Sequence, residues 1–313
     1  MFHLAVMSKE IATMAMNNPD NNFSADPGPE RLLLCSDLDR TILPNGPWPE
    51  SSRARPLLRR LAREPRFKLA YVSGRDLVLL RAAIVEYEIP PPDYAIGDVG
   101  TTIYRVTDGN WQVLPAWQEE IAGDWRGKTS SDLAPLLVGV EGLRLQEPEK
   151  QNTCKLSFYT PARFPGGATE RERLLAQVRE RLAPADIRAC LIWSIDEEKD
   201  CGLLDLLPER AGKLPAIRFL MRHLGFTPAD TVFAGDSGND LDVLGSELNA
   251  VLVANAPEEV RRQARELVRA AGREETLYCA TGNFRGLNGN YSAGVIEGLV
   301  HYQPRIITWL DTA

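Results

Sequence analysis

The chain has 313 residues, 44% of them hydrophobic and 25% charged. That composition excludes a disordered, collagenous or low-complexity chain, and the length fits one large domain or two moderate ones. The net charge is −7 and no basic stripe runs along the sequence, which argues against a nucleic-acid partner. No apolar run reaches the roughly 18–20 residues that span a bilayer, and the first residues lack a basic-then-apolar signal pattern. The five cysteines (Cys35, Cys154, Cys190, Cys201, Cys279) are scattered, odd in number and form no C-x-x-C. They support neither a zinc knuckle nor a disulfide framework, and they point to a reducing cytoplasm. His3, His223 and His301 show no metal-ligand spacing.

Residues 1–30 are rich in Met, Asn, Asp and Pro and hold no sustained apolar period. They read as a flexible leader, with a short amphipathic turn over 9–16 as the alternative. Order begins at Arg31. The run Leu32-Leu33-Leu34-Cys35 predicts a strand buried on both faces. A helix over 55–63, a strand over 67–72 and a helix over 76–87 follow. Short strands over 94–96 and 101–104 come next. This alternation predicts a parallel α/β sheet. Between about 105 and 198 the texture changes: three tryptophans (Trp111, Trp117, Trp125), an alternating strand over 155–159, a charged helix over 168–182 and a strand over 187–195. This predicts an α+β insertion. The βα rhythm is read as returning with 203–207, a helix over 212–224, strands over 231–234 and 250–253, and a helix over 257–271 with Pro257 at its first position. The predicted organisation is a leader (1–30), a doubly wound core split into 31–105 and 203–313, and an inserted cap over 106–202.

Chemistry-bearing residues fall at the predicted strand ends, where open parallel sheets bind ligands. Asp37-Leu38-Asp39-Arg40-Thr41 directly follows the first apolar run. The two carboxylates leave opposite faces of an extended chain unless it turns there, and a turn could aim one carboxylate and the next carbonyl at a common ion. An ordinary acidic turn is the alternative. Gly235-Asp236-Ser237-Gly238-Asn239-Asp240 follows the 231–234 run in the same way. Four carboxylates at one edge would repel each other without a cation, and Mg²⁺, which prefers oxygen ligands, fits that need. A loop chosen for turn propensity is the alternative. Ser73-Gly74-Arg75 offers a hydroxyl and backbone N–H groups to an anion, or Asp76 simply caps the next helix. Lys213 sits near a helix start, where the dipole disfavours a cation, so it has either a functional role or full solvation.

Taken in order, D-x-D-x-T, S-G-R, K and G-D-x-x-x-D resemble the haloacid dehalogenase-like phosphatases, whose type C2 cap is inserted between the second and third motifs. The resemblance implies that Asp37 is a nucleophile, that Asp39 is an acid and base, and that Asp37, the Asp39 carbonyl, Asp236 and Asp240 hold Mg²⁺. It gives Ser73, Gly74, Lys213 and Asn239 to the phosphoryl oxygens. Within that superfamily, Leu69-Ala70-Tyr71-Val72-Ser73-Gly74-Arg75, Val99-Gly100-Thr101-Thr102-Ile103-Tyr104, Asp205-Leu206-Leu207-Pro208 and Ala293-Gly294-Val295-Ile296-Glu297-Gly298-Leu299 resemble the sucrose-6-phosphate phosphatase family.

That narrower resemblance implies a phosphatase acting on a sugar phosphate, sucrose 6-phosphate first. The substrate-contact candidates are Arg75, Gly100, Thr101, Asn152 and Lys155. Gln151 and Tyr159 lie in the same stretch, where an ordinary edge strand is the alternative. The tryptophans are read as core packing before sugar stacking. The partner expectations are a small sugar phosphate, a sucrose-phosphate synthase, no nucleic acid, no membrane, and a monomer. Alternatives left open are a mannosylfructose-phosphate or glucosylglycerate-type phosphatase, a phosphomutase, and a non-catalytic sugar-phosphate-binding module.

Overall fold

The computed structural model describes residues 31–196 and 199–311. The expected leader over 1–30 and its amphipathic alternative lie outside these residues. Twelve strands are described in chain order: β1 (Leu32–Ser36), β2 (Phe67–Val72), β3 (Tyr94–Gly97), β4 (Thr102–Thr107), β5 (Asn110–Val113), β6 (Arg144–Leu145), β7 (Leu156–Pro161), β8 (Ala189–Asp196), β9 (Cys201–Pro208), β10 (Thr231–Gly235), β11 (Asn249–Leu252) and β12 (Leu277–Cys279). They form two sheets. The larger has the order β12-β11-β10-β1-β2-β3-β4-β5 and the smaller β6-β7-β9-β8.

The central parallel strands of the larger sheet are buried on both faces, as their apolar runs require. In β1, Leu32 and Leu34 point into one cluster, with Leu58, Leu69 and Leu299. Leu33 and Cys35 point into the opposite cluster, with Ile217, Leu220 and Phe233. The alternation of neighbouring residues between two cores is the period-2 geometry of a strand in a doubly covered sheet. β10, β1, β2 and β3 run parallel, and β11 and β12 continue the parallel set on the other side. A third, separate core of Trp125, Leu156, Phe158, Leu174 and Val178 underlies the smaller sheet. Among the described residues no helix is long and apolar enough to cross a membrane.

The structure corrects three sequence expectations. β4 is antiparallel to β3 rather than part of the parallel set. Only the turn Asp98–Gly100 separates the two, and a parallel return needs a crossover of a dozen or more residues. β5 extends the larger sheet, although the cap was expected to begin at 106. Asp108 and Gly109 have φ of 50° and 75°, the left-handed pair of a tight hairpin turn that returns the chain to the same sheet. β9 lies in the smaller sheet between β7 and β8, although 203–207 was read as the core resuming. Its run Leu203-Leu204-Asp205-Leu206-Leu207 has the texture of a core strand, and periodicity cannot say which sheet a buried strand joins. The sheet-defined insertion therefore runs from about 115 to 208. A smaller difference concerns Pro257, which precedes the helix Glu258–Ala270 as its cap residue.

The helix Ser292–Tyr302 packs directly on β11. A Cβ at Gly298 would lie 2.2 Å from a Val251 methyl. Gly298→Ala should lower stability by about 1–3 kcal/mol, the usual cost of overpacking. Val251→Ala in the same chain should recover part of that loss in urea denaturation. Simple additivity of the two losses would show that the contact does not limit packing there.

Candidate active site

The site forms where β1 and β10 end side by side. Their ladder pairs Ser36 with Ala234, and Asp37 N–H extends it by donating to the Ala234 carbonyl at 2.9 Å. Asp37 therefore leaves its strand opposite Gly235, one residue before Asp236 on the adjacent strand. Beyond Asp37 the chain turns at once: the N–H groups of Thr41, Ile42 and Leu43 all donate to the Leu38 carbonyl. Arg40 takes the left-handed region at φ 58°, and its N–H donates to Asn45 Oδ1 at 2.8 Å. This is the turn the D-x-D spacing needs.

The turn gives its two carboxylates different partners. Asp37 Oδ1 accepts from Lys213 Nζ at 2.7 Å. Asp39 accepts from Arg75 Nε at 2.9 Å and Nη2 at 2.6 Å, and from Asn45 Nδ2 at 2.7 Å. Asp39 thus stands outside the group of clustered carboxylates. Its main-chain carbonyl, not its side chain, was the expected ion ligand.

The loop after β10 is built around Asp240. One carboxylate oxygen, Oδ2, accepts from Asp236 N–H, Ser237 N–H and Ser237 Oγ, each at 3.1 Å. The other, Oδ1, accepts from Lys213 Nζ at 2.7 Å. Gly235 is required here, because a Cβ would lie 2.7 Å from the Asp240 carboxyl carbon. Asp236 Oδ1 accepts from Thr41 Oγ1 at 3.2 Å. Each of Asp37, Asp236 and Asp240 offers an oxygen within 4.8 Å of the others. Lys213 opens the helix Lys213–Leu224, and its side chain is only 11% exposed. It is not a solvated lysine: two carboxylates offset the unfavourable helix dipole.

The electrostatics follow from this count. Burial pushes Asp37 up to about 8; Lys213 opposes the shift, and Asp240 and Asp236 add to it. Burial pushes Asp236 up to about 7, with repulsion from Asp240 adding. Lys213 is raised because its carboxylate neighbours outweigh its burial. Burial also pushes Asp39 upward, but the Arg75 and Asn45 hydrogen bonds outweigh it and hold the carboxyl below its usual range. Three buried carboxylates with one lysine remain short of positive charge. An all-oxygen donor set of this kind fits a hard divalent cation such as Mg²⁺.

The remaining sequence candidates lie around this centre. Ser73 is buried, and its Oγ accepts from Arg75 N–H at 3.2 Å. Gly74 is exposed, with nothing closer to a would-be Cβ than 4.0 Å. Asn239 is exposed on the Asp236–Asp240 loop. Asp76 caps its helix by accepting from Leu79 N–H at 2.9 Å. Thr101 Oγ1 accepts from Asn152 Nδ2 at 3.0 Å, and Lys155 Nζ lies 3.5 Å from Asp98 Oδ1. These contacts join the insertion to the core beside Arg75, whose carbonyl accepts from Asp98 N–H at 2.9 Å. Gly100 has no room for a side chain: a Cβ would lie 2.4 Å from Gly212. Gln151 binds the backbone of Gln146 and Ser157, and Tyr159 donates to Glu147. Trp117 and Trp125 are core residues, as expected.

Sequence reasoning missed Asn45, Asp98 and Asp205. Asp205 is buried and accepts from Ser157 Oγ; burial raises its carboxyl, with Lys155 and Ser157 opposing. A lone acid inside an apolar run was the available signal.

Comparison with known proteins decides the family. The sucrose-6F-phosphate phosphohydrolase family matches residues 30–303. The chain belongs to this family. It is accordingly a phosphoric monoester hydrolase on the haloacid dehalogenase-like fold. A protein of Nitrosococcus oceani that carries only the general designation of a HAD-like hydrolase is 53% identical over 90% of this chain and 75% of its own. Mannosylfructose-phosphate phosphatase of Agrobacterium fabrum is 27% identical over 86% of this chain and 96% of its own length. Sucrose-phosphatase 2 of Nicotiana tabacum is 28% identical over 74% of this chain, which spans 52% of that enzyme. The crystal structure of the Synechocystis sucrose-phosphatase with sucrose and phosphate aligns with a TM-score of 0.64 at 25% identity, covering 88% of this chain and 98% of that one.

The raised carboxyls set a pH dependence. With pKa values of about 8 and about 7 in the folded chain and roughly 3.9 in the unfolded one, Asp37 and Asp236 bind more protons folded than unfolded between these limits. Their contribution to stability is therefore present at low pH and lost as pH rises through the folded values. In chelator, the melting temperature should fall from pH 5 to pH 8. Asp236→Asn should flatten part of that fall. An identical slope in the variant would contradict the cluster's role.

Proposed function

We propose that this chain is a Mg²⁺-dependent phosphatase of sugar phosphates, with sucrose 6-phosphate as first substrate, working through an aspartyl-phosphate. The observation that carries the reading is the convergence of Asp37, Lys213, Asp236 and Asp240 at one strand edge. Asp37 and Lys213 are 176 positions apart in sequence yet 2.7 Å apart in space.

In this reading the Asp37 carboxylate attacks phosphorus. The bond from phosphorus to the sugar oxygen breaks, and Asp39 supplies that oxygen with a proton. Asp39 then takes a proton from water as the water oxygen attacks the aspartyl-phosphate, releasing orthophosphate and restoring Asp37. Lys213, Ser73, Gly74 and Asn239 hold the transferring oxygens, and charge neutralisation of this kind carries most of phosphoryl-transfer catalysis. Asp37, Asp236, Asp240 and the Asp39 carbonyl would hold Mg²⁺, which supplies positive charge to the phosphoryl group. Without substrate, Asp39 is ion-paired to Arg75. An arriving phosphate attracts that guanidinium and weakens its hold on Asp39, so the acid gains proton affinity when it is needed.

The insertion serves as the cap in this reading. Asn152 and Lys155 meet the core at Thr101 and Asp98, and they supply polar contacts for sugar hydroxyls with Arg75. Gly100 contributes its backbone. A second reading, mannosylfructose phosphate as substrate, is favoured by one observation: the Agrobacterium enzyme is matched over 96% of its length. The free cysteines support a reducing, cytoplasmic location in this reading.

Asp37→Asn should lower orthophosphate release by about 10³-fold or more while leaving the fold intact, seen as a retained cooperative melting transition. Retained turnover would remove the nucleophile assignment. EDTA should abolish release and Mg²⁺ restore it. Side-by-side kcat/KM values for sucrose 6-phosphate and mannosylfructose phosphate choose between the two substrates.

A further inference from the structure

Lys213 is the first residue after the connection 209–212, which brings the chain back from β9 into the core. That connection is held from two sides. On one side stands Asp124, whose side chain is fully buried in the turn Gly123–Trp125. Its Oδ2 accepts from Arg210 N–H at 2.7 Å, and its Oδ1 accepts from Arg210 Nε at 3.0 Å. Arg188 Nη2 donates to the same Oδ1. The Asp124 carbonyl accepts from Arg188 N–H at 2.8 Å, and the Arg188 carbonyl in turn accepts from Glu209 N–H at 3.2 Å. On the other side stands Gly100, packed against Gly212 so closely that a Cβ would lie 2.4 Å away. Gly100 and Gly212 take φ of 89° and 135°, which side chains disfavour. Trp117 Nε1 donates to the Gly100 carbonyl at 3.0 Å.

The chemistry proposed above uses none of this. Asp124 touches neither Asp37 nor the Asp236–Asp240 loop. Yet a buried carboxylate bound to both the main chain and the side chain of one connection residue fixes that residue's position, and charge-assisted bonds are the strong ones. A lysine stem is flexible, with a large rotamer entropy. Where its ammonium rests depends on where its backbone is anchored.

We infer that Asp124 is a positioning residue for Lys213: by pinning Arg210 it sets the connection so that the Lys213 ammonium falls between Asp37 and Asp240. Asp124 belongs to the insertion, so the pin ties the placement of the lysine to the placement of the insertion. The inference rests on Lys213 being the ligand of the phosphoryl oxygens.

The test is a double-mutant cycle read in orthophosphate affinity, measured by calorimetry on the full chain with Mg²⁺. The proteins are wild type, Lys213→Ala, Asp124→Asn and the double variant, each checked by thermal melting. Lys213→Ala should weaken binding by about tenfold or more, the loss of a charged hydrogen bond. Asp124→Asn turns an NH₂ either toward both guanidiniums or toward the Arg210 N–H and should weaken binding by about fivefold. The double variant should bind no worse than Lys213→Ala, because a pin has nothing to act on once the ammonium is gone. Independent, multiplying losses would overturn the inference, as would wild-type affinity in a folded Asp124→Asn. If Asp124→Asn does not fold, Arg210→Ala, which keeps Asp124 and Arg188, takes its place in the same cycle. Unchanged affinity in Lys213→Ala alone would instead remove the phosphate-ligand reading, and the inference with it.

Discussion

One ammonium among three buried carboxylates is the constraint on which the rest of the site depends. Asp37, Asp236 and Asp240 are each buried, and removing such groups from water costs several kcal/mol per ion unless charge and hydrogen bonds compensate. Lys213 compensates two of them directly, at 2.7 Å each. Asp240 is further compensated by three donors of its own loop. Asp236 accepts one side-chain hydrogen bond, from Thr41, and feels the charges of Lys213 and Arg40 without an ion-pair contact among the described residues. The deficit is uneven, and it explains why the carboxyls of Asp37 and Asp236 are pushed up. Such a deficit at the open edge of a parallel sheet fits an additional cation.

Two carboxylates separated by one residue have opposite electrostatics for the same reason. Asp37 is raised by its burial, with two neighbouring acids adding; Asp39 faces a bidentate guanidinium and an amide that outweigh its burial, and it is lowered. The turn that closes on the Leu38 carbonyl creates that difference, because it directs the two side chains to different partners. Environments that push two titratable groups apart are the usual way one site assigns separate chemical roles to like residues. The pairing also makes Arg75 a link between Asp39 and the insertion. Its guanidinium binds Asp39 and its carbonyl receives the N–H of Asp98, which faces Lys155 of the insertion.

Much of this was legible in the sequence, and the limits have physical causes. β1, β2, β10 and β11 show as apolar runs because both faces of a parallel strand are buried, and the acidic motifs stand out because they interrupt those runs at their ends. β9 was misassigned for the same reason that β1 was easy. A buried strand looks alike in either sheet, and its partner is fixed by pairing far along the chain. β4 and β5 were misread because hairpin geometry depends on the φ of Asp98, Val99, Asp108 and Gly109, not on hydrophobic period. Lys213 was visible as a lysine at the wrong end of a helix. Asp124 was not, since nothing in Gly123-Asp124-Trp125 distinguishes a pin from a turn. Gly100 was read as a substrate contact on the strength of family resemblance, whereas its packing against Gly212 gives that glycine a steric reason of its own.

The crossing of Gly100 and Gly212 has a mechanical consequence. Gly100 lies in the turn between β3 and β4 of the larger sheet and Gly212 in the connection by which the chain returns from the insertion, so that return touches the core at the β3–β4 turn. Glycine permits that contact because it lacks the Cβ that would separate the strands of chain. Three side-chain contacts lie farther out: Asn152 to Thr101, Lys155 to Asp98, and Lys150 to Asp76 at 2.8 Å. Asp76 also caps the helix that starts just after Arg75. These three contacts therefore end on two short segments, 73–76 and 98–101, which carry Ser73 and Arg75 beside Asp39. A shift of the insertion must move those segments or break those contacts. In the function proposed above, substrate recognition by the insertion and phosphate chemistry in the core would be coupled by this shared backbone, without any need for a longer pathway through the sheet.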